Sequence, residues 1–502
     1  FHHMLKSCAG AMFAELTERE AYLDRFGDWF FTHGDPLRAL RFYARSGNAA
    51  GWLRTVAEDA GVQLASADPA EVFACLDRWP REALRADPTA LLVLMRRMFT
   101  WQQIPKMLEL RALLLAGIEA HPELPDAERD NLLGECDLIM SFLQYNDIAA
   151  MSRLHRSAAA RMTRPAISIR NEGSWTFGSP SVLMMFYRAS GELQSELTEM
   201  DECMPHYYKI TNGHGQGAET IMRAEADFMR ACFADAQIML ERAYAQIDGN
   251  GQENMALCCD FLAWRLSLCT SFTPRESFEQ RREALLGLHS VTWLNILQSS
   301  CAYYYALLCQ HEKIPAVFRE HQLASIHFLA PGKPMMELIE NQVYLAQGEY
   351  AKVIGRSEAL LGMCEAMHYA LVALHIRLQT AAAYEMLGKR ETADELLISA
   401  LAAAEPDALY LPFVENYRYL KTALTRGAGA KFAAFVRTVT PLGEDFVRRC
   451  GEKRAEGSRP AALAGLTERE SAIAALVAKR LSNREIAEQL FLSEGSVKQY
   501  IN

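Results

Sequence analysis

The sequence of 502 residues predicts an all-α protein: an array of many helices followed by a small terminal unit. Apolar residues recur almost everywhere at the i, i+3, i+4 spacing of amphipathic helices, and runs that alternate apolar and polar residues are scarce. Ala, Leu, Glu, Met and Arg, which favour helices, are abundant. One short segment, 166–170, has a pattern compatible with extended backbone. The third observation is a short group of helix-breaking residues, here called a turn phrase, that recurs along the chain.

The chain begins with helical hairpins, which we assign to residues 1–64. Asp35-Pro36 opens one helix with proline in its first turn, where the missing amide hydrogen would have no partner within the helix. A further hairpin follows through Gly47. We expect these hairpins to lead directly into the array.

The recurring turn phrase divides residues 65–446 into units of similar length. Successive turns begin 36 to 45 residues apart, and an amphipathic helix follows most of them. The turns begin at Gln102, Asn146, Gly191, Ala234, Thr273, Glu312, Gly348 and Gly388. One hairpin cannot bury its own apolar face, so a period of about 40 residues predicts hairpins stacked into a tetratricopeptide-like superhelical array.

A polar stretch separates this array from the end of the chain. Residues 451–460 contain Gly, Pro and many charges and show no apolar periodicity, which is typical of a linker. We therefore assign residues 447–462 to a linker and residues 463–502 to a separate small domain.

The terminal unit has the pattern of a helix-turn-helix. Two capping boxes, at 467–470 and 482–485, each mark the start of a helix, and Ser493 can cap a third. A small residue, Ala487, faces the crossing of two helices. Helical spacing places three apolar sets inward: Ile473, Leu476 and Val477; Ile486, Ala487 and Leu490; and Val497, Tyr500 and Ile501.

The last of these helices carries polar residues on its opposite face. Their side chains supply the donors and acceptors that base edges and phosphates require, and a glycine there lets DNA approach closely. With the polar residues at the helix starts, the candidate DNA contacts are Ser482, Asn483, Ser493, Gly495, Ser496, Lys498, Gln499 and Asn502.

This segment resembles the LuxR-type DNA-binding domain. It reads LTERE at 466–470 and LSNREIAEQLFLSEGSVK at 481–498, and the resemblance runs in register to Asn502. It implies that the last helix enters the DNA major groove and that the family's domain continues with a fourth helix for dimer contacts, so we expect a truncated domain here. The family usually has Gly where this chain has Arg480, and a positive φ at that position would cost about 1 kcal/mol.

Other stretches resemble MalT-like regulators, in which an ATPase module precedes a helical sensor and a LuxR-type tail. FHHML at 1–5 and WFFTHGDP at 29–36 are similar to the segment after the ATPase module, and ALAAAEP at 400–406 is similar to the end of the sensor. The resemblance implies ATP binding on an upstream module that this fragment lacks. Neither Gly-Lys pair of the chain has the earlier glycine of a phosphate-binding loop, so we expect no cofactor in it.

Two loops in the middle of the array are candidates for a ligand pocket. Trp175 and Phe177 lie in one loop, and three glycines surround His214 in the other, shortly before Glu219. Glycine-rich backbone allows close approach of a ligand, and loops and grooves supply the binding surfaces of solenoids. We predict that these four residues help line an inducer pocket. The alternative is a long loop held in place by buried aromatic residues.

Composition excludes several classes of protein. Lys and Arg number 52 and Asp and Glu 62, a net charge of −10, so any DNA contact must be local. No stretch is apolar enough to span a membrane, and the start does not have the pattern of a secretory signal. The 12 cysteines show no Cys-x-x-Cys spacing, so we expect free thiols in a reducing cytoplasm and no metal site.

Together these observations predict a cytoplasmic bacterial transcription regulator. It would not be an enzyme, because no nucleophile–base spacing, metal-ligand set or phosphate loop is present. Its partners would be double-stranded promoter DNA, a small-molecule or protein inducer, further copies of itself as a homodimer or oligomer, and RNA polymerase; the resemblance favours activation. The alternative is a tetratricopeptide-like scaffold that binds a protein and not DNA.

Overall fold

The computed structural model describes residues 18–288, 290–326, 329–427, 431–457, 468–478, 480–490 and 492–501. Helices joined by turns and irregular loops make up these ranges, which contain no β-strand. The all-α prediction, an array of helices followed by a small helix-turn-helix unit, is therefore confirmed. Within the same ranges, no helix combines the length and the apolar character needed to cross a bilayer.

Acidic and amide side chains start several helices of the first part of the array. Asp35 and Asp87 each accept a hydrogen bond from the backbone amide three residues later, at 3.1 and 2.9 Å, and a proline opens each helix. Asn48 accepts in the same way, at 2.8 Å. The helices are α1 (Arg19–Thr32), α2 (Pro36–Ser46), α3 (Ala49–Asp59), α4 (Pro69–Arg78), α5 (Arg81–Arg85), α6 (Pro88–Thr100), α7 (Ile104–Ala120) and α8 (Asp126–Ser141).

The array continues with helices that pack mainly against their neighbours in the chain. They are α9 (Ile148–Arg161), α10 (Leu183–Phe186), α11 (Leu193–Thr211), α12 (Ala218–Met229), α13 (Phe233–Ile247), α14 (Glu253–Cys269), α15 (Phe278–Gly287), α16 (Val291–Leu308), α17 (Ala316–Arg319), α18 (Lys333–Gln347), α19 (Tyr350–Ala366), α20 (Ala370–Met386), α21 (Arg390–Ala404), α22 (Leu411–Glu415), α23 (Tyr417–Gly427) and α24 (Ala433–Gly457). For example, α12 packs on α13, and α20 packs on both α19 and α21.

The predicted turns fall between helices with one exception. Gly348 and Gly388 end α18 and α20 with φ of 79° and 75°, a left-handed conformation that glycine adopts without strain. The exception is Ala234, which is the second residue of α13. That turn lies slightly earlier, at Ala231, whose φ is 59°.

Two large clusters of buried apolar side chains, with a smaller third cluster around Trp264, form the core of the array. The first contains residues between 39 and 139, and the second contains residues between 138 and 450. Trp52 and Trp79 belong to the first cluster, with ring centroids 5.1 Å apart. One core continues across residues 64 and 65, where the boundary between the first two domains was predicted, and the division itself stays a prediction. Helical periodicity alone does not reveal which helices share a core.

Residues 162–182 form an irregular segment, much of it buried, outside the regular helices. Buried backbone of this kind needs polar partners. The Glu135 carboxylate accepts a hydrogen bond from the Ser168 amide at 2.7 Å, and the Asn254 side chain accepts from the amides of Trp175 and Thr176, each at 2.7 Å. The possible extended stretch 166–170 lies here and forms no strand, because side chains and the carbonyl of Ile210, which lies on a helix, bond to its backbone instead of a second strand.

Contacts between residues far apart in the chain fold the array back on itself. Arg265 on α14 and Glu415 on α22 form a buried ion pair, with Nε and Oε1 2.8 Å apart. The Tyr303 hydroxyl donates to the same carboxylate at 2.7 Å. Asp407, between α21 and α22, accepts from the Tyr187 hydroxyl at 2.6 Å. The short segment around α22 is thus held inside the array.

Helix α24 corrects the position of the predicted linker, residues 447–462. The helix continues to Gly457 and so covers the first part of that range. Arg448 and Glu452 form an ion pair at 2.6 Å, and such pairs four residues apart support an exposed helix that has few apolar residues. A charged, aperiodic stretch is therefore not sufficient evidence for a linker. Residues 458–462 lie outside the described residues.

Candidate DNA interface and internal cavity

The last three helices, α25 (Glu468–Ala478), α26 (Asn483–Leu490) and α27 (Glu494–Ile501), pack around a small core. Ile473, Ile486, Ala487 and Val497 are buried, and four leucines from the helices and their connections pack against them. The small side chain of Ala487 leaves space for α26 and α27 to cross. Two short helices joined by a brief connection, with a third behind them, form a helix-turn-helix.

Side-chain hydrogen bonds fix the starts of α26 and α27. The Glu485 amide donates to Ser482 Oγ at 3.4 Å, and the Ser482 amide donates to the Glu485 carboxylate at 2.7 Å, which is the predicted capping box. These hydrogen bonds from Ser482 lower the pKa of Glu485. Ser493 Oγ accepts from the Ser496 amide at 3.1 Å, so Ser493 caps α27 as predicted. The predicted box at 467–470 begins outside the described residues.

Three apolar residues that were predicted to face inward are exposed. Val477, Tyr500 and Ile501 have 41%, 44% and 43% of their surface accessible. Helical spacing assigns them to the inner side, but three short helices enclose only a small core, which leaves the ends of α25 and α27 uncovered. The inward prediction is wrong for these three residues.

The exposed face of α27 carries Gly495, Lys498 and Gln499. A Cβ atom on Gly495 would meet no atom closer than Ser493 Oγ at 3.8 Å, so the space in front of it is open. Ammonium and amide groups on one helix face can donate to phosphates and base edges. The remaining predicted contacts are the exposed Ser482, Asn483 and Ser493, the partly exposed Ser496, and Asn502, which lies outside the described residues. Their role at DNA stays a prediction.

Arg480 adopts the backbone conformation that the family's glycine would allow. Its φ is 62°, in the left-handed region. The Arg480 amide donates to the Val477 carbonyl at 2.8 Å and the Leu481 amide to the Leu476 carbonyl at 3.3 Å, the pattern of a helix end with a left-handed residue. Backbone strain was predicted for Arg480 on the condition that its φ is positive, and that condition is met.

A cavity of about 420 Å³ lies where the two core clusters meet. This volume is within the range of about 300–1,000 Å³ that is usual for small-molecule sites. Helices α6, α9 and α11, the irregular segment and the start of α16 line it. Much of the lining is apolar and includes Phe99, Trp101, Phe142, Met151, Met200 and Met204.

Three of the four predicted ligand-binding residues line this one cavity. They are Trp175, Phe177 and His214, which come from two separate loops. Glu219 lies outside the cavity lining and accepts a hydrogen bond from the Tyr208 hydroxyl. Its predicted place in the pocket is corrected, because sequence spacing does not show which way the first turn of α12 faces. Ligand contact by the other three residues stays a prediction.

Both histidines of the cavity are neutral. Burial lowers the pKa of His214 and of His155 to about 3 in each case. His214 Nδ1 lies 2.7 Å from the Tyr207 hydroxyl and Nε2 lies 3.2 Å from the Gly173 carbonyl. His214 therefore holds the loop in position and brings no positive charge to the cavity.

The glycine-rich loop approaches an indole ring. A Cβ atom on Gly215 would overlap the Trp175 ring, and the φ of Gly215 is 73°. Glycine is required here so that the backbone can pack against Trp175. The alternative interpretation, a loop held by buried aromatic residues, thus describes part of the same wall that lines the cavity.

Sequence reasoning missed two arginines in the cavity wall, Arg96 and Arg97 on α6. Arg96 Nη1 donates to the Ser168 carbonyl at 2.5 Å, and Arg97 donates to the Gly61 carbonyl. Burial lowers the pKa of both, that of Arg97 to about 10, and the neighbouring Arg96 charge contributes to that shift. The run LLVLMRRMF at 91–99 could have revealed these two arginines, because it places two charges in a strongly apolar helix.

Most cysteines of the described residues are buried free thiols, and the others are free as well. Burial raises the pKa of Cys258 and Cys259 well above the usual value, so both stay protonated. No group of three His, Cys, Asp or Glu side chains in the described ranges could hold a metal ion.

The fold and the terminal unit define a helical-array protein that carries a helix-turn-helix DNA-binding domain. Residues 464–502 match the model of the GerE family, bacterial regulatory proteins of the luxR family. The match confirms the LuxR-type domain at the end of the chain and supports a DNA-binding transcription regulator. No curated protein matches the chain.

Proposed function

We propose that this chain is a sequence-specific transcription regulator of the bacterial cytoplasm, in which α27 enters the major groove and an inducer binds the helical array. It would act as an activator, as a dimer or oligomer on promoter DNA, together with RNA polymerase. The observation that carries the proposal is the exposed polar face of α27, which lies opposite the buried Val497 within a LuxR-type domain.

The charge of the terminal domain favours specific over non-specific DNA contact. Residues 464–502 contain five Lys or Arg and five Glu, and no Asp. A neutral domain gains little from general attraction to phosphates, so a few positioned donors must supply the affinity. Lys498 and Gln499 are such donors on α27.

Selection of bound duplexes from a random-sequence pool, followed by titration of the enriched duplex, tests DNA recognition. We expect Lys498→Ala and Gln499→Ala each to weaken binding by about 1–3 kcal/mol. Gln489→Ala is the matched control, because Gln489 is an exposed amide on α26 outside the predicted contacts. If Lys498 contacts a phosphate, the Lys498→Ala variant should also show a slope of log K against log salt that is smaller in magnitude by about 0.9.

The same selection separates the regulator from the scaffold alternative. Exposed Val477, Tyr500 and Ile501 give the terminal domain an apolar surface that a protein partner could cover. If no sequence is enriched, or if the variants on α27 bind the enriched duplex as well as the control does, the DNA-binding proposal fails and the scaffold remains.

A further inference from the structure

We propose that the internal cavity binds an anionic small molecule, with a carboxylate or phosphate headgroup held by Arg96 and Arg97 and an apolar, partly aromatic body against the remaining wall. The inference rests on the proposed function in one respect only, that this molecule would be the inducer. Binding of the anion itself does not depend on DNA.

The charge of the cavity wall is positive throughout. Arg96, Arg97 and Arg170 line the cavity, and no Asp or Glu is among the described residues that line it. Neither Arg96 nor Arg97 forms an ion pair with a carboxylate in the described part of the chain; their partners are the carbonyls of Ser168 and Gly61 and the Thr100 hydroxyl. Two adjacent cations therefore line the cavity, and no carboxylate of the described residues is paired to either of them.

Two other arginines of the interior are paired with carboxylates. Arg265 contacts Glu415 at 2.8 Å, and Arg281 contacts Asp260 at 2.6 Å. An unpaired charge in a poorly hydrated site is costly, and an opposite charge removes much of that cost. Arg96 and Arg97 have no such carboxylate partner among the described residues, and a ligand that supplies a negative charge would explain why.

Two carboxylates lie near these arginines, and neither forms an ion pair with them. Asp59, near Arg97, accepts hydrogen bonds from the amides of Gln63 and Leu64, each at 3.0 Å. Glu135 accepts hydrogen bonds from the Ser168 amide at 2.7 Å and from Arg164 Nη1 at 3.2 Å. It reaches Arg96 only through the Ser168 peptide, whose carbonyl accepts from Arg96. Glu135 thus positions the irregular segment, and its charge is already matched by Arg164.

Both guanidinium groups are held in place and retain unused donors. Arg96 is fixed by the Ser168 carbonyl, and Arg97 is fixed by its contacts with Gly61 and Thr100. Apart from these contacts, neither guanidinium group donates a hydrogen bond to a described residue. A guanidinium presents five donors in one plane, and this geometry fits the paired oxygens of a carboxylate or phosphate.

The rest of the wall fits an apolar body. Phe99, Trp101 and Trp175 offer ring faces, and Met200 and Met204 are flexible side chains that adapt to the shape of a ligand. The neutral state of His155 and His214 means that the arginines are the cations of this wall.

The cavity reaches the surface near Arg170 and Val62. Both residues are exposed, and both line the cavity together with a neighbouring surface depression. A cation at an opening raises the local concentration of anions and speeds their association. Arg170 would therefore guide the ligand toward Arg96 and Arg97.

Calorimetric titration of the whole chain with three probes tests the inference. The probes are 4-phenylbutyrate, the uncharged 4-phenylbutanamide and 3-phenylpropyl phosphate. We expect at least one anion to bind ten-fold or more tightly than the amide, and the stronger of the two anions identifies the headgroup. Arg96→Met and Arg97→Met should remove that preference. Arg78→Met is the matched control, because Arg78 also donates to a backbone carbonyl, that of Ala44 at 2.9 Å, and lies outside the cavity.

Equal affinity for the amide and both anions, or no binding of either anion at millimolar concentration, overturns the inference. An anion preference that persists in Arg96→Met and Arg97→Met also overturns its assignment to these residues. If a variant fails to fold, as circular dichroism would show, the comparison of anion with amide on the unchanged protein decides. Anion binding that leaves DNA affinity unchanged supports this site and contradicts ligand control, so the two proposals fail separately.

Discussion

At some positions of this protein, the backbone conformation rather than side-chain contacts determines which residue type is favoured. Arg480 occupies a helix end with φ of 62°, where glycine is the residue without strain. Gly215 has φ of 73° and also leaves room for the Trp175 ring. The first position carries a strained residue and the second an unstrained one, so they respond in opposite ways to substitution.

Replacing Arg480 by Gly should stabilise the terminal domain by about 1 kcal/mol, because glycine adopts a positive φ without a Cβ clash. The gain in stability would appear as slower hydrogen exchange of the backbone amides of α25 and α26, because these helices open less often. The matched control is Arg484→Gly, in the first turn of α26, which should lower stability by at most about 1 kcal/mol. Faster exchange in Arg480→Gly would contradict the strain at this position.

At the scale of elements, the array depends on contacts that close it as well as on neighbouring hairpins. The ion pair of Arg265 and Glu415 joins α14 to α22, and both side chains are about 1% exposed. The rings of Phe228, Phe261 and Tyr303 surround the guanidinium with centroids 4.9, 5.2 and 5.6 Å away. The charge and the ring faces thus match the guanidinium at one place, while its Nη1 has no hydrogen-bond partner among the described residues.

Glu415→Gln should lower the free energy of unfolding by about 3–5 kcal/mol, because it leaves the buried Arg265 charge without a counter-charge. The double variant Arg265→Met, Glu415→Leu should recover most of this loss, since it removes both charges. Glu279→Gln is the control: its partner Arg282 is exposed, and such pairs contribute at most about 1 kcal/mol. Urea unfolding followed by tryptophan fluorescence measures all three, and equal stability of Glu415→Gln and the control would refute the argument.

At the scale of the whole molecule, stability is linked to pH through buried carboxyl groups. Glu225 on α12 is 1% exposed and accepts a hydrogen bond from the Leu183 amide at 2.7 Å. Burial raises the pKa of Glu225 to about 7. The unfolded chain releases this proton at a pH of about 4.3, so the folded state holds the proton over the window between the two values.

Stability should therefore fall as pH rises from about 4.3 to 7, because ionisation of Glu225 is easier in the unfolded chain. Glu225→Gln removes this titration, and its advantage over the unchanged protein should grow to as much as about 3 kcal/mol above pH 7. Unfolding free energies measured between pH 5 and pH 8 test this. Glu358→Gln, at an exposed carboxylate on α19, should leave the profile unchanged. Parallel profiles of Glu225→Gln and the unchanged protein would refute the link.

The position of the cavity also matters at this scale. It lies at the junction of the two core clusters, so a bound molecule touches both parts of the array at once. A ligand that binds one arrangement of these parts better than another shifts the balance between them. Under the proposed ligand control, such a shift would carry occupancy of the cavity to the DNA-binding domain.

Local patterns in the sequence determined the helical class, the turns near Gly348 and Gly388, the capping serines Ser482 and Ser493, and the helix-turn-helix. Each depends on residues within one or two helical turns, so spacing and residue type are sufficient to specify it. The loop residues Trp175, Phe177 and His214 were found for a similar reason, since aromatic and glycine-rich loops are visible in the chain.

Only the tertiary structure decided which distant residues meet. In the tertiary structure the first core extends across residue 64, α24 continues into the predicted linker, and Val477 is exposed. The fold also brought Arg96 and Arg97 to the cavity without a carboxylate partner. The reason is physical: helical spacing defines which face of a helix is apolar, whereas the burial and pairing of a charge depend on elements that arrive from elsewhere in the chain.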